Sequence, residues 1–327
     1  MFKHKKFLVI LVVLACLVSG FISGIYVGRL RGIPFLKIQK KWSIGIYIGE
    51  SPLTFVSPKN IKNPVLTAKD VTDVPAEFVA DPFMVKESNT FYIFFEVFNA
   101  LTNQGDIGLA TSNDGLNWTY RKIILDEPFH LSYPYVFKWN NEHYMITETH
   151  ETYSIRLYKS IDFPTRWVFV KTLLSGVDYL DPTIFRYNDR WWIFTGSSHK
   201  RSNTLHLFYS YNLMGPWIEH PKSPIIKGDA HKARPGGRVS IYNGRMIRYA
   251  QDCYPTYGRQ VIAFEIDLLT VTNYKEHEVS ESPILKASGT GWNADGMHNI
   301  DPVQIDRDRW IACVDGYKTG LLLGWRY

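Results

Sequence analysis

The stretch that decides the fold spans residues 81–96 and reads Asp81-Pro82-Phe83-Met84-Val85-Lys86-Glu87-Ser88-Asn89-Thr90-Phe91-Tyr92-Ile93-Phe94-Phe95-Glu96. A dipeptide ending in proline precedes an alternating apolar strand, a polar turn and a second, strongly apolar strand. The same order returns at four later dipeptides: Tyr133-Pro134, Asp181-Pro182, Arg234-Pro235 and Asp301-Pro302. Strand units that recur about every 50 residues predict a five-bladed β-propeller, which is an all-β fold.

Each unit continues with a third, amphipathic strand and a turn that leads into a fourth strand. The fifth unit reaches only its third strand, Leu321-Leu322-Leu323, before the sequence ends at Tyr327. A replacement for the missing strand lies at the front of the repeat, where residues 42–48 begin with the tryptophan typical of a fourth strand. We therefore expect the N-terminal strand to complete the last blade, which closes the ring and removes an exposed sheet edge.

The N-terminal segment has a different character from the repeat. The 22 residues from Phe7 to Gly28 carry no charge and are long enough to span a bilayer. The sequence predicts a cytoplasmic stub and transmembrane anchor at 1–28, a basic stalk at 29–41 and a propeller at 42–327. Gly20, Gly24 and Gly28 form a small-residue face that would allow a homodimer. We expect a single-pass membrane protein with its propeller on the extracytoplasmic or lumenal side.

Charge and cysteine content exclude several classes of protein. The net charge is +6, but the excess basic residues cluster around the N-terminal apolar segment. The remainder is slightly acidic, so a nucleic-acid partner is not expected. The cysteines Cys16, Cys253 and Cys313 are too few for a disulfide framework; Cys253 and Cys313 are expected to be buried thiols, although one bridge between them stays open. No metal-ligand spacing is present, so no cofactor is predicted, and a central structural ion is not indicated.

The candidate site follows from strand direction. Neighbouring strands of a blade are antiparallel, so the start of the first strand and the end of the second meet at one rim. Carboxylates recur at these two positions, as in the pair Asp81 and Glu96. Crowded carboxylates repel one another, and at least one should therefore have the raised pKa that a general acid needs. The residues predicted at this rim are Asp81, Glu96, Tyr133, Glu148, Asp181, Asp252, Asp301 and Asp315, with Arg234 and His298.

Structural roles remain open for several of these residues. Asp-Pro favours turn initiation, so Asp81, Asp181 and Asp301 would then only cap turns. Arg234 is either a counter-ion for the rim acids or a two-pronged holder of a substrate carboxylate or phosphate. His298 is either a structural histidine or one that helps to hold a central ion or water.

The Asp-Pro blade starts, the Ser-x-Asp-Gly-x-x-Trp turn at residues 112–118 and the five-fold period resemble the propellers of glycoside hydrolase families 43, 32, 62 and 68. A closer resemblance is to the N-terminal propeller domain of plant glucosamine inositolphosphorylceramide transferase and its bacterial relatives. It covers roughly residues 42–327 and is carried by the segments 130–134, 144–148, 234–237, 251–253 and 257–258, which read His-Leu-Ser-Tyr-Pro, Tyr-Met-Ile-Thr-Glu, Arg-Pro-Gly-Gly, Gln-Asp-Cys and Tyr-Gly.

The resemblance implies roles for particular residues. In the family 43 pattern, Asp81 falls on the general base and Asp181 on the aspartate that orients the acid. The fourth-blade Glu-Gly-Pro of that pattern reads Ala233-Arg234-Pro235 here. Glu148 is therefore the predicted proton donor, with Glu96 or Asp252 as alternatives.

The implied partner is a glycan or glycolipid, and the implied function is that of a membrane-anchored, glycoside hydrolase-like propeller. Two alternatives are a non-catalytic glycan-binding module that serves a glycosyltransferase, and a structural interaction propeller. Fold analogy alone does not decide between them.

Overall fold

The computed structural model describes residues 13–14, 16–20, 36–197 and 201–323. The chain falls into two compact units, one of residues Met1–Lys41 with Thr319–Tyr327 and one of residues Trp42–Lys318. In the first unit, residues 13–14 and 16–20 are helical, and residues 36–41 and 319–323 are strand. Residues 36–41 of the predicted stalk at 29–41 are strand, and residues 29–35 lie outside the described residues. The alternation of apolar and polar side chains from Leu36 to Gln39 is typical of a strand.

The described helical residues do not form a helix that is long and apolar enough to cross a membrane. Most of the predicted anchor at 7–28 lies outside the described residues. The same is true of Gly24 and Gly28 in the predicted dimer face, whereas Gly20 lies in the described helical segment.

The described residues form 23 strands. In chain order they are β1 (Leu36–Ser51), β2 (Thr54–Val56), β3 (Ala76–Glu87), β4 (Thr90–Asn99), β5 (Gln104–Ser112), β6 (Thr119–Leu125), β7 (Ser132–Trp139), β8 (Glu142–Thr149), β9 (Ser154–Asp162), β10 (Arg166–Ser175), β11 (Leu180–Tyr187), β12 (Arg190–Ser197), β13 (Thr204–Ser210), β14 (Ile218–Glu219), β15 (Ile226–Lys227), β16 (Arg234–Pro235), β17 (Ser240–Tyr242), β18 (Arg245–Asp252), β19 (Gln260–Leu269), β20 (Tyr274–Glu278), β21 (Leu285–Lys286), β22 (Ile300–Asp306) and β23 (Arg309–Leu323). Short 3₁₀ helices occur at Ala68–Asp70, His150–Thr152 and Gly291–Asn293.

These strands form five antiparallel sheets, which are the blades of a five-bladed β-propeller. Blade I is β3-β4-β5-β6, and blade II is β7-β8-β9-β10. Blade III comprises β11 to β15, and blade IV comprises β16 to β21. Blade V has the order β2-β1-β23-β22, so strands from both ends of the sequence share one sheet.

The third strand of blade V differs from the sequence prediction. Residues 321–323 do not form a separate strand but continue β23, and β1 occupies the third position with β2 outside it. Because β23 has no turn between its apolar stretches, one long strand replaces the two expected. The N-terminus thus supplies two strands of this blade instead of one.

The hydrophobic core lies between neighbouring blades. One cluster joins Ile146 of blade II to Ile184 and Ile193 of blade III, all essentially buried. Another joins Ile44 of β1 to Met84 in blade I. Full burial of such a side chain contributes about 1.5–3 kcal/mol, so each blade is held mainly by its neighbours.

Three of the residues before proline have a left-handed backbone, which the alternation of apolar and polar residues does not predict. Asp81, Tyr133 and Asp181 have φ values of 51°, 50° and 46°. A left-handed backbone is rare for non-glycine residues and usually marks a functional or strained position. The register of the inner strand shifts at each of these sites: Ala80, and not Asp81, lies opposite Glu96. Equivalent shifts occur before Tyr135 and before Thr183. The bulge re-aims the residue before proline.

Blade IV breaks its inner strand instead. Between β16 and β17 the chain passes through Gly236 and Gly237, and Gly237 has a φ of 146° and a parallel bridge to Ile300 of blade V. A Cβ atom at Gly237 would lie 1.8 Å from the carbonyl oxygen of Ile300. Its amide donates to the Tyr133 hydroxyl at 2.7 Å. Glycine is required here by both the close approach and the backbone angle.

Candidate functional site

A cavity of about 570 Å³ opens at the proline-dipeptide ends of the inner strands. Its walls come from all five blades and combine acids, imidazoles and aromatic rings. The lining residues are Trp42, Phe78, Ala80, Asp81, Glu96, His130, Ser132, Glu148, His150, Glu151, Arg201, Ser202, Arg234, Cys253, Pro255, Tyr257 and His298. A concave site with convergent polar groups and buried carboxyls is the usual form of a small-molecule site.

Asp81 lies at the first bulge and is 4% exposed. Its amide donates to Oδ2 of Asp315 at 2.9 Å, which fixes the strained backbone. Among the described residues, Oδ1 of Asp81 has no hydrogen-bond partner, and its nearest ionisable neighbour is Nε2 of His298 at 3.5 Å. Burial raises the pKa of Asp81 to about 6, with His298 pulling it down and Asp315 pushing it up. This carboxyl is therefore suited to gain and lose a proton near neutral pH.

Asp315 lies behind the cavity on β23. Its Oδ1 accepts the amides of His298 at 3.1 Å and Asn299 at 2.9 Å, and it lies 2.7 Å from Nδ1 of His298. The imidazole of His298 is stacked on Trp42, with ring centroids 4.0 Å apart. Asp315 therefore acts on the cavity through His298 and Asp81 and does not line it.

Asp81, His298 and Asp315 are close enough to hold a metal ion, because their donor atoms all lie within 4.8 Å of one another in the described part of the chain. Both oxygens of Asp315 already accept backbone amides, one of them from Asp81. Oδ1 of Asp315 also lies 2.7 Å from Nδ1 of His298. The hydrogen bonds among these residues therefore account for their proximity without an ion. The cluster offers at most three protein ligands, far fewer than the six to eight oxygens around calcium.

Glu96 ends β4 and is 6% exposed. Burial, reinforced by the charges of Asp81 and Glu148, raises the pKa of Glu96 well above its usual range. Oε1 lies 3.5 Å from Nε2 of His130. The other ring nitrogen of His130 accepts the amide of Gly105 at 2.9 Å, so a neutral His130 carries its proton on Nε2, facing Glu96. Glu96 is thus the cavity acid best suited to remain protonated at neutral pH.

The surroundings of Glu148 lower its pKa, in contrast to those of Glu96. Oε2 lies 3.3 Å from Nη2 of Arg234, and Oε1 lies 3.0 Å from Nδ1 of His150. Burial opposes ionisation, but Arg234 and His150 outweigh it and hold the pKa of Glu148 below its usual range. A carboxylate that stays ionised is a poor proton donor. The geometry therefore argues against the predicted donor role of Glu148 and favours Glu96, one of the two alternatives.

Arg234 is almost fully buried at the centre of this network. Nε donates to Oδ2 of Asp181 at 2.5 Å, and the guanidinium lies 5.0 Å from the centre of the Tyr257 ring. Gln251 also donates to Oδ2 of Asp181, at 2.6 Å. Burial raises the pKa of Asp181 well above its usual range, although Arg234 pulls it down. Asp181 therefore lies behind Arg234 and does not line the cavity itself.

Two other predicted rim residues, Tyr133 and Asp301, are held in contacts away from the cavity. The Tyr133 hydroxyl shares a hydrogen bond with Thr183 at 2.8 Å and accepts the amide of Gly237. Asp301 accepts the amide of Met84 at 2.6 Å and pairs with Arg238, whose Nε lies 2.7 Å from Oδ1. These contacts join different blades.

Asp252 holds the loop that follows β18. It accepts the amide of Tyr254 at 3.1 Å and pairs with Arg259 at 3.2 Å and with His231 at 3.0 Å. Because the bulges shift the register, equal spacing in the repeat did not give equal positions in the channel. Of the ten residues predicted at the rim, five line the cavity: Asp81, Glu96, Glu148, Arg234 and His298. The other five do not line it: Tyr133, Asp181, Asp252, Asp301 and Asp315.

Sequence reasoning predicted His298 but missed the imidazoles of His130 and His150 and the aromatic rings around these acids. His130 and His150 flank the two inner strands of blade II, and Trp42 comes from β1. A histidine two residues before Ser132 and another two residues after Glu148 was the available signal. Cys253 and Cys313 are free thiols, and Cys253 lines the cavity.

Comparison with known proteins agrees with this architecture. A family model described as glucosamine inositolphosphorylceramide transferase 1, N-terminal, matches residues 37–317. Glucosamine inositolphosphorylceramide transferase 1 of Oryza sativa subsp. japonica is 37% identical over 302 residues, which is 86% of this chain and 40% of that protein. The chain thus spans well under half the length of this curated relative.

Solved structures share the propeller fold at low identity. The β-1,2-mannobiose phosphorylase of Listeria innocua superposes with a TM-score of 0.59 at 14% identity, over 83% of this chain and 96% of that one. A family 32 β-fructofuranosidase of Bombyx mori gives a TM-score of 0.53 at 16% identity, over 71% of this chain and 54% of that one. The fold likeness and the match across nearly the whole propeller lead to one conclusion: the chain belongs to the family of the N-terminal domain of glucosamine inositolphosphorylceramide transferase 1.

Proposed function

We propose that this propeller binds a glycan or glycolipid in the acidic cavity and acts on a glycosidic bond by acid–base chemistry. The observation that carries the proposal is the pair Asp81 and Glu96, two buried carboxyls in one cavity with different pKa shifts. Asp81 is the base, because a pKa of about 6 leaves it mostly ionised at pH 7. Glu96 is the proton donor. Most glycoside hydrolases use such a pair, in which one carboxyl is ionised and the other is protonated.

The cavity also contains groups that suit a sugar. Trp42, Phe78 and Tyr257 contribute aromatic surface to its lining, and aromatic faces pack against the apolar faces of sugar rings. The names of the family and of the rice relative contain glucosamine and inositolphosphorylceramide, so amino-sugar glycosides and inositol phosphoglycolipids are the first substrates to test. We further propose that residues 7–28 anchor the protein in a membrane with the propeller outside the cytoplasm.

A non-catalytic binding module is the second candidate, and Arg234 supports it. This arginine stands where the hydrolase pattern has its acid, and its charge holds Glu148 ionised. A guanidinium at the edge of the cavity would recognise a phosphate or carboxylate on a glycoconjugate. In that case the propeller presents a substrate to a transferase domain elsewhere.

One experiment separates the two candidates. The full chain, purified in detergent, is incubated with a panel of glycosides and inositol phosphoglycolipids, and released sugar and calorimetric binding are both measured. We expect Asp81→Asn and Glu96→Gln each to lower turnover by about 100- to 10,000-fold. Asp106→Asn is the matched control, because burial likewise raises the pKa of Asp106 to about 6 but the residue does not line the cavity.

The pH profile gives a further check. Turnover should rise as Asp81 ionises, through about pH 6, and should fall at higher pH where Glu96 loses its proton. Binding without turnover in the unmodified protein would refute the enzyme and support the non-catalytic binding module. Neither binding nor turnover across the panel would refute both candidates.

A further inference from the structure

The imidazole of His298 is held on three sides. Asp315 lies 2.7 Å from its Nδ1, Trp42 is stacked on one face at 4.0 Å, and Tyr257 meets it edge-on with ring centroids 5.2 Å apart. His298 is 2% exposed, so solvent has little access to its ring nitrogens. The ring therefore has one orientation, with Nε2 directed towards Asp81 at 3.5 Å.

The partners of Asp315 determine which nitrogen carries the proton. An ionised carboxylate only accepts hydrogen bonds, and Oδ1 of Asp315 already accepts the amides of His298 and Asn299. A short contact from Nδ1 to this same oxygen therefore requires a proton on Nδ1. The tautomer is assigned from these partners, as is usual for histidine.

This tautomer has a consequence for Asp81. With Nδ1 protonated, a neutral His298 would direct the lone pair of Nε2 at the unpartnered Oδ1 of Asp81. Two lone pairs facing each other repel, whereas a proton between them makes the contact attractive. The 3.5 Å separation is longer than a hydrogen bond, as is common for catalytic contacts before substrate binds.

We infer that His298 is the positioning residue of Asp81: Asp315 and Trp42 hold its imidazole so that Nε2 presents a proton to Oδ1 of Asp81 and keeps that carboxyl ionised. His298 keeps its proton throughout. When Asp81 acts as a base, the proton that it takes from water comes to rest on the Asp81 carboxyl. The inference rests on the proposed role of Asp81. It also assigns a role to Trp42 of β1, which holds the His298 ring in place.

Other charged groups near Asp81 act in known directions. Asp315 and Glu148 disfavour its ionisation, and Arg234 favours it more weakly than His298 does. Glu96 shares the cavity and is expected to be protonated. Removing His298 therefore removes the strongest favourable partner of the Asp81 carboxylate.

The test uses the full chain labelled with ¹³C at aspartate carboxyls and ¹⁵N at histidine rings, followed by NMR across pH, with Asp81→Asn to assign the Asp81 signal. We expect His298→Gln to raise the ionisation midpoint of Asp81 by about 1 pH unit or more. The matched control is His220→Gln, since His220 is 1% exposed but bonds to Thr270 on the outer part of blade IV. It should leave the midpoint unchanged.

The unmodified protein supplies a readout that needs no variant to fold. The ¹⁵N signals of its His298 ring should show a proton on Nδ1, which faces Asp315, and Asp315→Asn should produce a mixture of both tautomers. An unchanged Asp81 midpoint in His298→Gln would overturn the inference, and so would a neutral His298 protonated at Nε2. A shift of the Nε2 signal on adding calcium or zinc alone would also overturn it, because Nε2 would then be a metal ligand. None of these readouts needs a substrate, so loss of the proposed function is a separate result.

Discussion

Replacing Arg234 by methionine tests the electrostatic balance behind the cavity. The change keeps much of the side-chain length but leaves Asp181 and Glu148, both at most 2% exposed, without their shared cation. Removing one partner of a buried ion pair typically costs about 3–5 kcal/mol, because the remaining charge is buried and unpaired. For a domain of this size the melting temperature falls by about 2–4 °C per kcal/mol, so a drop of about 6–20 °C is expected.

The loss of stability in Arg234→Met should depend on pH, and the pKa shift of Glu148 determines the direction of that dependence. In the native protein Arg234 holds the folded-state pKa of Glu148 below its unfolded value, so the pair stabilises the fold above the unfolded pKa and loses this effect as pH falls through the folded pKa. Without Arg234, burial raises the folded-state pKa above the unfolded one. The variant is then most destabilised at neutral pH and recovers as the carboxyls protonate in acid.

Differential scanning calorimetry at pH 5 and pH 8 measures both effects. Combining Arg234→Met with Glu148→Gln and Asp181→Asn should restore most of the stability, because no buried charge is then left unpaired. A loss under about 1 kcal/mol, or an equal loss at both pH values, would refute the argument from a buried unpaired charge.

Two further substitutions probe the contacts between blades. Gly237→Ala should lower the melting temperature severely, since the new Cβ would lie 1.8 Å from the Ile300 carbonyl, whereas Gly228→Ala, with open space around it and φ of 82°, should cost only about 1 kcal/mol. Tyr133→Phe should cost about 1–3 kcal/mol in denaturant unfolding, because the buried Gly237 amide loses its acceptor; an unchanged unfolding midpoint would mean that another group accepts this amide.

The repeat of proline dipeptides was sufficient to predict the five blades. Their positions mark the inner strand of each blade, and the alternation after them gives its buried face. The local backbone could not be predicted in the same way. Counting residues placed Asp81 opposite Glu96, but the bulge places Ala80 there. An inserted residue shifts the phase of the alternation by one, but the stretches on either side of Asp81 are too short for that shift to be recognised in the sequence.

The candidate site was predictable in its residue types but not in its pairings. The sequence indicated that acids gather at one rim and that one of them has a raised pKa. It could not show which acid Arg234 would neutralise, because Arg234 and Glu148 are 86 residues apart along the chain and meet only in the folded ring. The partner determines whether a buried carboxyl donates a proton or stays ionised. For this reason Glu148 was the predicted donor, whereas the geometry favours Glu96.

The mixed origin of blade V has a consequence for synthesis on the ribosome. Trp42 emerges early, but His298, on which it stacks, follows only after most of the chain has been made. At about 5–20 residues per second this delay lasts roughly 10–50 s. Throughout that time β1 has no β23 to pair with and exposes a free strand edge, which invites pairing with other chains. Nascent copies of this protein should therefore depend on chaperones most strongly just before the last blade is completed.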